Sequence, residues 1–362
     1  MDGIVSLFKE SLENWQFVET PYYEHGINVE EEFDHHNSDS SLEFFSANDP
    51  TATTPINVRD DADYFIDGVM HIAIVGYVYD SQSPTTSFPI IAGDVVASSG
   101  ELYYKTFKII KHKHAIVLTH PKELTIKEEV YKKLKGCIAK WTSAEFELLE
   151  YPCDKSSGES NNSANLSTKS RFSQARHEVL NYMRKEEKRL LDWILQNNKN
   201  NYRVFIDGEF QSSDNKYASS RVISICKQLS LQSLESKFNL RASDITNLEG
   251  GAASQAYKWA FNDENEYMSK WYTWFMRLRQ HALPDQDRTM SDIIQCTVVS
   301  ESSPDNDLIE EWKQRLLKLA YPTCYGLDKR RWRTHIYPIY LTELYGKQQQ
   351  LNIELFNKII YG

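Results

Sequence analysis

One amphipathic helix set between two groups of strand-like runs limits this chain more than any other feature. Over residues 173–196, Leu180, Met183, Leu190, Leu191 and Ile194 recur at helical steps, while Arg176, Lys185, Lys188 and Arg189 furnish a polar surface. An apolar stripe of this kind has to be covered. Ahead of it, residues 64–66, 72–79, 88–91, 102–110 and 115–118 are short and rich in β-branched and aromatic side chains. Residues 203–208 and 221–227 behind it have the same character. Strands, then a helix, then strands predict an α/β fold with a mixed β-sheet flanked by helices.

The Asp67-Gly68 pair after the first run predicts a tight connection and an antiparallel hairpin. Residues 121–150 read as a helix carrying Leu124, Val130, Leu134 and Ile138. Residues 307–320 read as another, acidic in its first turn and basic later, as the helix dipole favours. Periodicity leaves the segment with Trp259, Trp271, Trp274 and Phe275 open between helix and strand, and the tail is expected to end in a polar helix.

The first 60 residues include the acidic stretch VEEEFDHHNSDSSLEFF and read as an N-terminal arm, or a dimerisation or partner-docking segment, ahead of a domain over 61–362. His35 and His36 are adjacent, so on an extended segment they point opposite ways, and a solvated arm is preferred to a metal site. Residues 154–170 are Ser/Asn-rich, with almost no large apolar side chains, and predict a flexible insertion.

Composition narrows the class. The 362 residues carry a formal charge of −10 with 41% hydrophobic residues, which excludes a basic nucleic-acid-coating protein and wholesale disorder. No window approaches the roughly 18 uninterrupted apolar residues of a membrane span. The start, MDGIVSLFKESLENW, lacks the basic opening and apolar run of a secretory signal, so no membrane partner and a cytoplasmic location are expected. The 5 cysteines are widely separated with no C-x-x-C pair and are read as reduced thiols.

The chemistry lies in carboxylates. The tetrapeptide Phe-Ile-Asp-Gly occurs at residues 65–68 and again at 205–208, each time closing an apolar run. An Asp there projects its carboxylate where ligands approach a sheet, although an Asp-Gly turn needs no ligand at all. Two such groups from neighbouring strands can share a divalent cation. Glu187 follows Met183 and precedes Leu191 by one helical repeat each, so it points along the apolar stripe, where a charge is costly unless paired or bound to a cation. A small shift of helix phase puts Glu186 there instead. Hard ions such as Mn²⁺ and Mg²⁺ take carboxylate oxygens, and a pair of them stabilises the attacking and leaving oxygens of a phosphodiester displacement. The expected centre is Asp67, Glu187 and Asp207 holding Mn²⁺ or Mg²⁺, two ions in all.

A strand Asp on an opening hairpin, a helix Glu and a second strand-end Asp resemble a ribonuclease H-like site, and the order of motifs resembles the NurA nucleases. The motifs are the early strand-Asp-Gly segment over 64–68, then Ala175-Arg176, Met183-Arg184 and Glu187 on one helix. Ile206-Asp207-Gly208, a strand carrying Lys227 and a late Tyr337-Pro338 follow. The resemblance implies a ribonuclease H-like core, Mn²⁺-dependent exonuclease and endonuclease action on DNA, a homodimer and a HerA-type hexameric ATPase as partner. The family's first motif continues with a small hydroxyl residue where Val69 stands here. Its late His has no counterpart at the same place, which leaves Glu343 as the first choice of fourth ligand and His335 as the second.

The basic groups agree in part. Lys329, Arg330, Arg331 and Arg333, interleaved with Trp332 and His335, offer phosphate contacts and a stacking face, although a charge run is commonly just a solvated surface. Arg331, Arg333, His335 and Lys227 are the candidate DNA contacts. The functional expectation is a metal-dependent DNA nuclease of end processing or anti-phage defence. The alternative is a non-catalytic ribonuclease H-like subunit that docks a translocase.

Overall fold

The computed structural model describes residues 3–10, 12, 15–19, 62–80, 83–152, 168–197, 202–210, 217, 221–227, 234, 238, 240–258, 271–278, 293–300, 302–320 and 336–362. In chain order the elements are α1 (Ile4–Lys9), β1 (Trp15–Glu19), β2 (Ala62–Asp80), β3 (Ser83–Tyr103), β4 (Thr106–Pro121), α2 (Glu128–Ala139), β5 (Glu145–Tyr151) and α3 (Thr168–Asn197). They continue with β6 (Tyr202–Asp207), β7 (Val222–Cys226), α4 (Ala242–Thr246), β8 (Tyr257–Lys258), β9 (Trp271–Arg277) and β10 (Ile293–Val299). Three helices close the chain: α5 (Asn306–Leu319), α6 (Tyr337–Gln349) and α7 (Ile353–Tyr361).

One mixed sheet runs in the order β5-β4-β3-β2-β6-β7-β10-β9-β8, with β1 also on β2. Its centre is a β2-β3-β4 antiparallel meander followed by β6 and β7 running parallel to β2. The helix α3 lies in the connection between the meander and β6. Three antiparallel strands, a helix, and two parallel strands added on the far side of the first make this core ribonuclease H-like. A parallel return needs such a crossover, and α3 supplies it.

Alternation along β2 divides its side chains between two helical layers. Tyr64 and Ile66 pack with Leu190, Leu191 and Ile194 of α3. Phe65 faces the other way, into the cluster with Phe205, Trp312 and Leu316 of α5 and Ile339 of α6. The Phe65 and Phe205 rings stack at 4.9 Å, and Trp312 meets Phe205 edge-on at 5.2 Å. Asp63, on the same side, receives a forked bond from Arg315, whose Nε lies 2.8 and 2.7 Å from its two carboxylate oxygens. That pair ties α5 to the start of β2.

Three expectations change here. The Asp67-Gly68 pair is no turn: β2 runs on through it to Asp80, because β3 pairs with it along its whole length. Residues 102–110 are divided by the β3-β4 turn, where Tyr104 adopts a φ of 55°. Only Glu128–Ala139 of the stretch expected as one helix is helical; Glu145–Tyr151 is strand β5, drawn out by parallel pairing with Ala115–Pro121. Of the N-terminal segment, β1 pairs with β2, and Ile4, Val5 and Phe8 of α1 join the core with α2 and α7.

Trp271, Trp274 and Phe275 belong to strand β9, fully buried; Trp259 lies outside the described residues. Of the expected insertion, residues 168–170 start α3, and the rest lies outside the described residues. Among the described residues no helix is long and apolar enough to cross a membrane.

Replacing Arg315 by Leu removes the forked partner of the buried Asp63 carboxylate and is expected to destabilise the fold by about 3–5 kcal/mol in urea unfolding. Adding Asp63→Leu to Arg315→Leu should recover most of that loss.

Candidate active site

The two Phe-Ile-Asp-Gly copies lie side by side. Parallel pairing of β2 with β6 sets Phe65 beside Phe205 and Ile66 beside Ile206, so Asp67 and Asp207 come next on adjacent strands. Beyond Ile66 the two copies part. β6 ends at Asp207, and Gly208 turns the chain away with a φ of 95°, its N–H donating to the Ile225 carbonyl at 2.8 Å. β2 continues, and β1 joins that edge only at Gly76. Between these points no described strand covers the edge of β2, and the carboxylates gather at this gap, outside the carboxyl end of β6.

Asp67 is buried, and its Oδ2 has no hydrogen-bond partner. Burial raises its pKa well above the ordinary carboxylate range, and the neighbouring charges of Asp207, Glu343 and Glu187 push the same way against the opposing Lys227. Lys227, just past the end of β7, reaches back so that its Nζ lies 2.9 Å from Asp207 Oδ2. Burial alone would lower the Lys227 pKa, but Asp207, Asp67 and Glu343 outweigh it and leave the ammonium held more firmly than in water. Glu343 comes from α6 and forms a 2.9 Å ion pair with Lys347 one turn on.

Glu187 approaches from the other layer. Gly68 faces α3, and a Cβ there would strike Glu187 Oε1 and come within 2.7 Å of Met183 Cγ. The missing side chain of Gly68 is the space that the Glu187 carboxylate occupies. Glu186 points elsewhere, into an ion pair with Arg189, with Lys113 and Glu145 as its further charged neighbours. The helix phase thus puts Glu187 against Gly68 of β2, and Glu186 toward β4 and β5.

The structure brings Asp67, Asp207, Glu187, Glu343 and Lys227 into one electrostatic group. Among the described residues, no three His, Cys, Asp or Glu side chains stand close enough to ligate a single ion as they are now arranged. The donor set nonetheless fits a hard cation. Asp207, Asp67 and Glu343 lie about one ammonium, an oxygen of Asp67 is unsatisfied, and the Gly68 cradle keeps the Glu187 carboxylate against the backbone of β2. Arg331, Arg333 and His335 lie outside the described residues. Sequence reasoning missed Ser98, the residue of β3 paired with Asp67. Nothing in the string DVVASSGELYY marks it, since only the β2-β3 register brings it to the site.

No protein-family model matches the chain, and no curated protein matches it. Among solved structures the chain is similar to NurA. The NurA nuclease from Sulfolobus solfataricus shares 14% identity with it over 83% of this chain and 82% of that one, with a TM-score of 0.37. Another NurA structure shares 9% identity over 80% of this chain and 85% of its own, with a TM-score of 0.28.

Two outcomes are expected, one from the site's charge and one from its packing. Because folding raises the Asp67 pKa, the ionised form costs stability at all pH values above that raised pKa, and the cost disappears as pH falls toward about 4. In EDTA, Asp67→Asn should therefore melt above wild type at pH 7, with the gap closing under acid; equal melting at both pH values would refute the burial of a strained carboxylate. Gly68→Ala should cost about 1–3 kcal/mol in urea unfolding by displacing Glu187 and Met183.

Proposed function

We propose that this protein is a divalent-metal-dependent DNA nuclease. The observation that carries the reading is the in-register pairing of the two Phe-Ile-Asp-Gly strands, which sets Asp67 beside Asp207 at an open strand end with Glu187 and Glu343 around them. Asp67, Asp207, Glu187 and Glu343 would hold Mn²⁺ or Mg²⁺, two ions in the full site. A bound cation supplies Lewis-acid stabilisation of charge on a phosphoryl group.

The chain's own residues do the rest. Asp67 and Asp207 fix the site to the rigid centre of the sheet, where neighbouring strands hold their backbones. Glu187 contributes from α3 past Gly68, and Glu343 from α6, so the two layers clasp the site from opposite sides of the sheet. Lys227 balances Asp207 and offers an ammonium to a substrate phosphate. The unpaired edge of β2 leaves room for an extended backbone to approach. The proposal extends to a homodimer and a HerA-type hexameric translocase as partner, acting in the cytoplasm on DNA ends or invading DNA, with Arg331, Arg333 and His335 as further DNA contacts.

A second reading has an observation of its own. Asp207 pairs with Lys227 and Glu343 with Lys347, so two of the carboxylates already have cationic partners. That pattern suits a ribonuclease H-like subunit that has kept the charges and docks a translocase without cutting.

One experiment separates the two. Labelled linear and circular DNA is incubated with the full chain in Mn²⁺, Mg²⁺ or EDTA, with and without a candidate ATPase. Metal-dependent cleavage by wild type, abolished by Asp67→Asn and by Asp207→Asn with melting behaviour that shows both still folded, is the expected result. No cleavage under any of these conditions, or unchanged cleavage in either variant, would remove the nuclease reading.

A further inference from the structure

We infer that Ser98 is a positioning residue of the acidic centre, because its buried and unpartnered hydroxyl stands directly across the strand pair from the buried and unpartnered carboxylate oxygen of Asp67. The inference rests on the metal-site reading above and assigns it a residue outside the carboxylate set.

Register and alternation place the two groups together. Asp67 of β2 pairs with Ser98 of β3, and directly opposed residues of an antiparallel pair share a face, with Cβ atoms about 4.5–5.5 Å apart. The shared face is the one beneath α6. A Cβ added at Gly346 would lie 3.0 Å from Val69 Cγ2 and 3.4 Å from Ser98 Oγ, and Val69 is on the same side of β2 as Asp67.

Both side chains are out of water, Ser98 at 0% and Asp67 at 6% relative exposure. Neither Ser98 Oγ nor Asp67 Oδ2 has a hydrogen-bond partner. Buried polar atoms in folded proteins nearly always have one, and these two, though not bonded to each other as they now stand, are on opposed residues that a side-chain rotation or one shared water can join. Their chemistry is complementary. The carboxylate only accepts, whereas a hydroxyl donates once and rotates freely to do so.

The other cationic and hydroxyl groups nearby are engaged. Lys227 Nζ is on Asp207 Oδ2 at 2.9 Å, and Thr342 Oγ1 donates to the Pro338 carbonyl at 2.9 Å. Ser99, the next residue, faces the opposite layer and donates to the Lys111 carbonyl at 3.2 Å. Of the adjacent serines, Ser99 already donates its hydrogen bond, and Ser98 has one to donate to Asp67.

A hydroxyl on one oxygen of Asp67 fixes the plane of the carboxylate and aims the other oxygen at the gap beside β6. Partners of this kind typically change metal affinity by about 10- to 100-fold when removed. The test measures Mn²⁺ affinity of the full chain by the loss of the free-ion electron paramagnetic resonance signal, alongside thermal melting in EDTA. Ser98→Ala is expected to weaken Mn²⁺ binding about tenfold or more. Ser98→Thr, which keeps the hydroxyl on a strand-favouring side chain, should bind within about threefold of wild type. Ser99→Ala should melt lower, because it breaks a bond already made, with Mn²⁺ affinity unchanged.

Wild-type affinity in Ser98→Ala, or an equal loss in Ser99→Ala or in Ser98→Thr, would overturn the assignment. If wild type binds Mn²⁺ and Asp67→Asn does not, while Ser98→Ala binds normally, only the role of Ser98 fails. If wild type binds no Mn²⁺, the metal-site reading falls with it.

Discussion

The parallel pairing of β2 with β6 is the constraint on which the rest of the structure depends. It aligns two copies of one tetrapeptide so that their identical residues stack like with like. For Phe65 and Phe205 that is favourable: two rings bury each other and are closed over by Trp312. For Asp67 and Asp207 one position later it is unfavourable, since it sets like charges together in a place that burial has deprived of water. The aromatic layer holds a register that the carboxylates by themselves would resist. A site that costs stability and persists because the surrounding packing over-determines it is the common physical form of a functional site.

The helices supply what the sheet cannot. α3 is anchored along its length by Ala175, Val179 and Tyr182 near one end and Leu190, Leu191 and Ile194 near the other, which leaves Glu187 no orientation except toward Gly68. α6 is anchored by Ile339 and by the close approach of Gly346 to Val69, and brings Glu343 to the other face. The end of α6 is fixed by a second buried carboxylate, Asp94, which accepts from Leu351 N–H at 2.7 Å and from the ring of His114 at 2.7 Å. Asp94 shows how this fold treats a buried acid that it uses for structure: every oxygen is answered. Asp67 is treated differently.

The charge of −10 takes on a local meaning from this arrangement. It counts against a surface that coats nucleic acid, yet at the centre the half-buried ammonium of Lys227 pairs with Asp207 and is drawn further by the charges of Asp67 and Glu343. On the proposed reading, the same distribution of charge disfavours a polyanion and favours a small hard cation.

The sequence by itself determined the helix over residues 173–196 and the α/β class, and it supplied the residue types of the candidate site, because amphipathic periodicity and β-branched runs are local properties of the chain. It also made Asp67, Glu187 and Asp207 visible, since a repeated tetrapeptide and a charge within an apolar stripe are both legible without coordinates. It misread what depends on a partner. Glu145–Tyr151 becomes a strand only because β4 lies beside it, and Asp67-Gly68 stays extended only because β3 pairs through it. The tertiary structure alone set which of Glu186 and Glu187 faces Gly68, a matter of helix rotation fixed by packing. It alone set Ser98 opposite Asp67 and drew Lys227 in among the carboxylates. Those juxtapositions are long-range in the chain and arise from strand register, which no local pattern encodes.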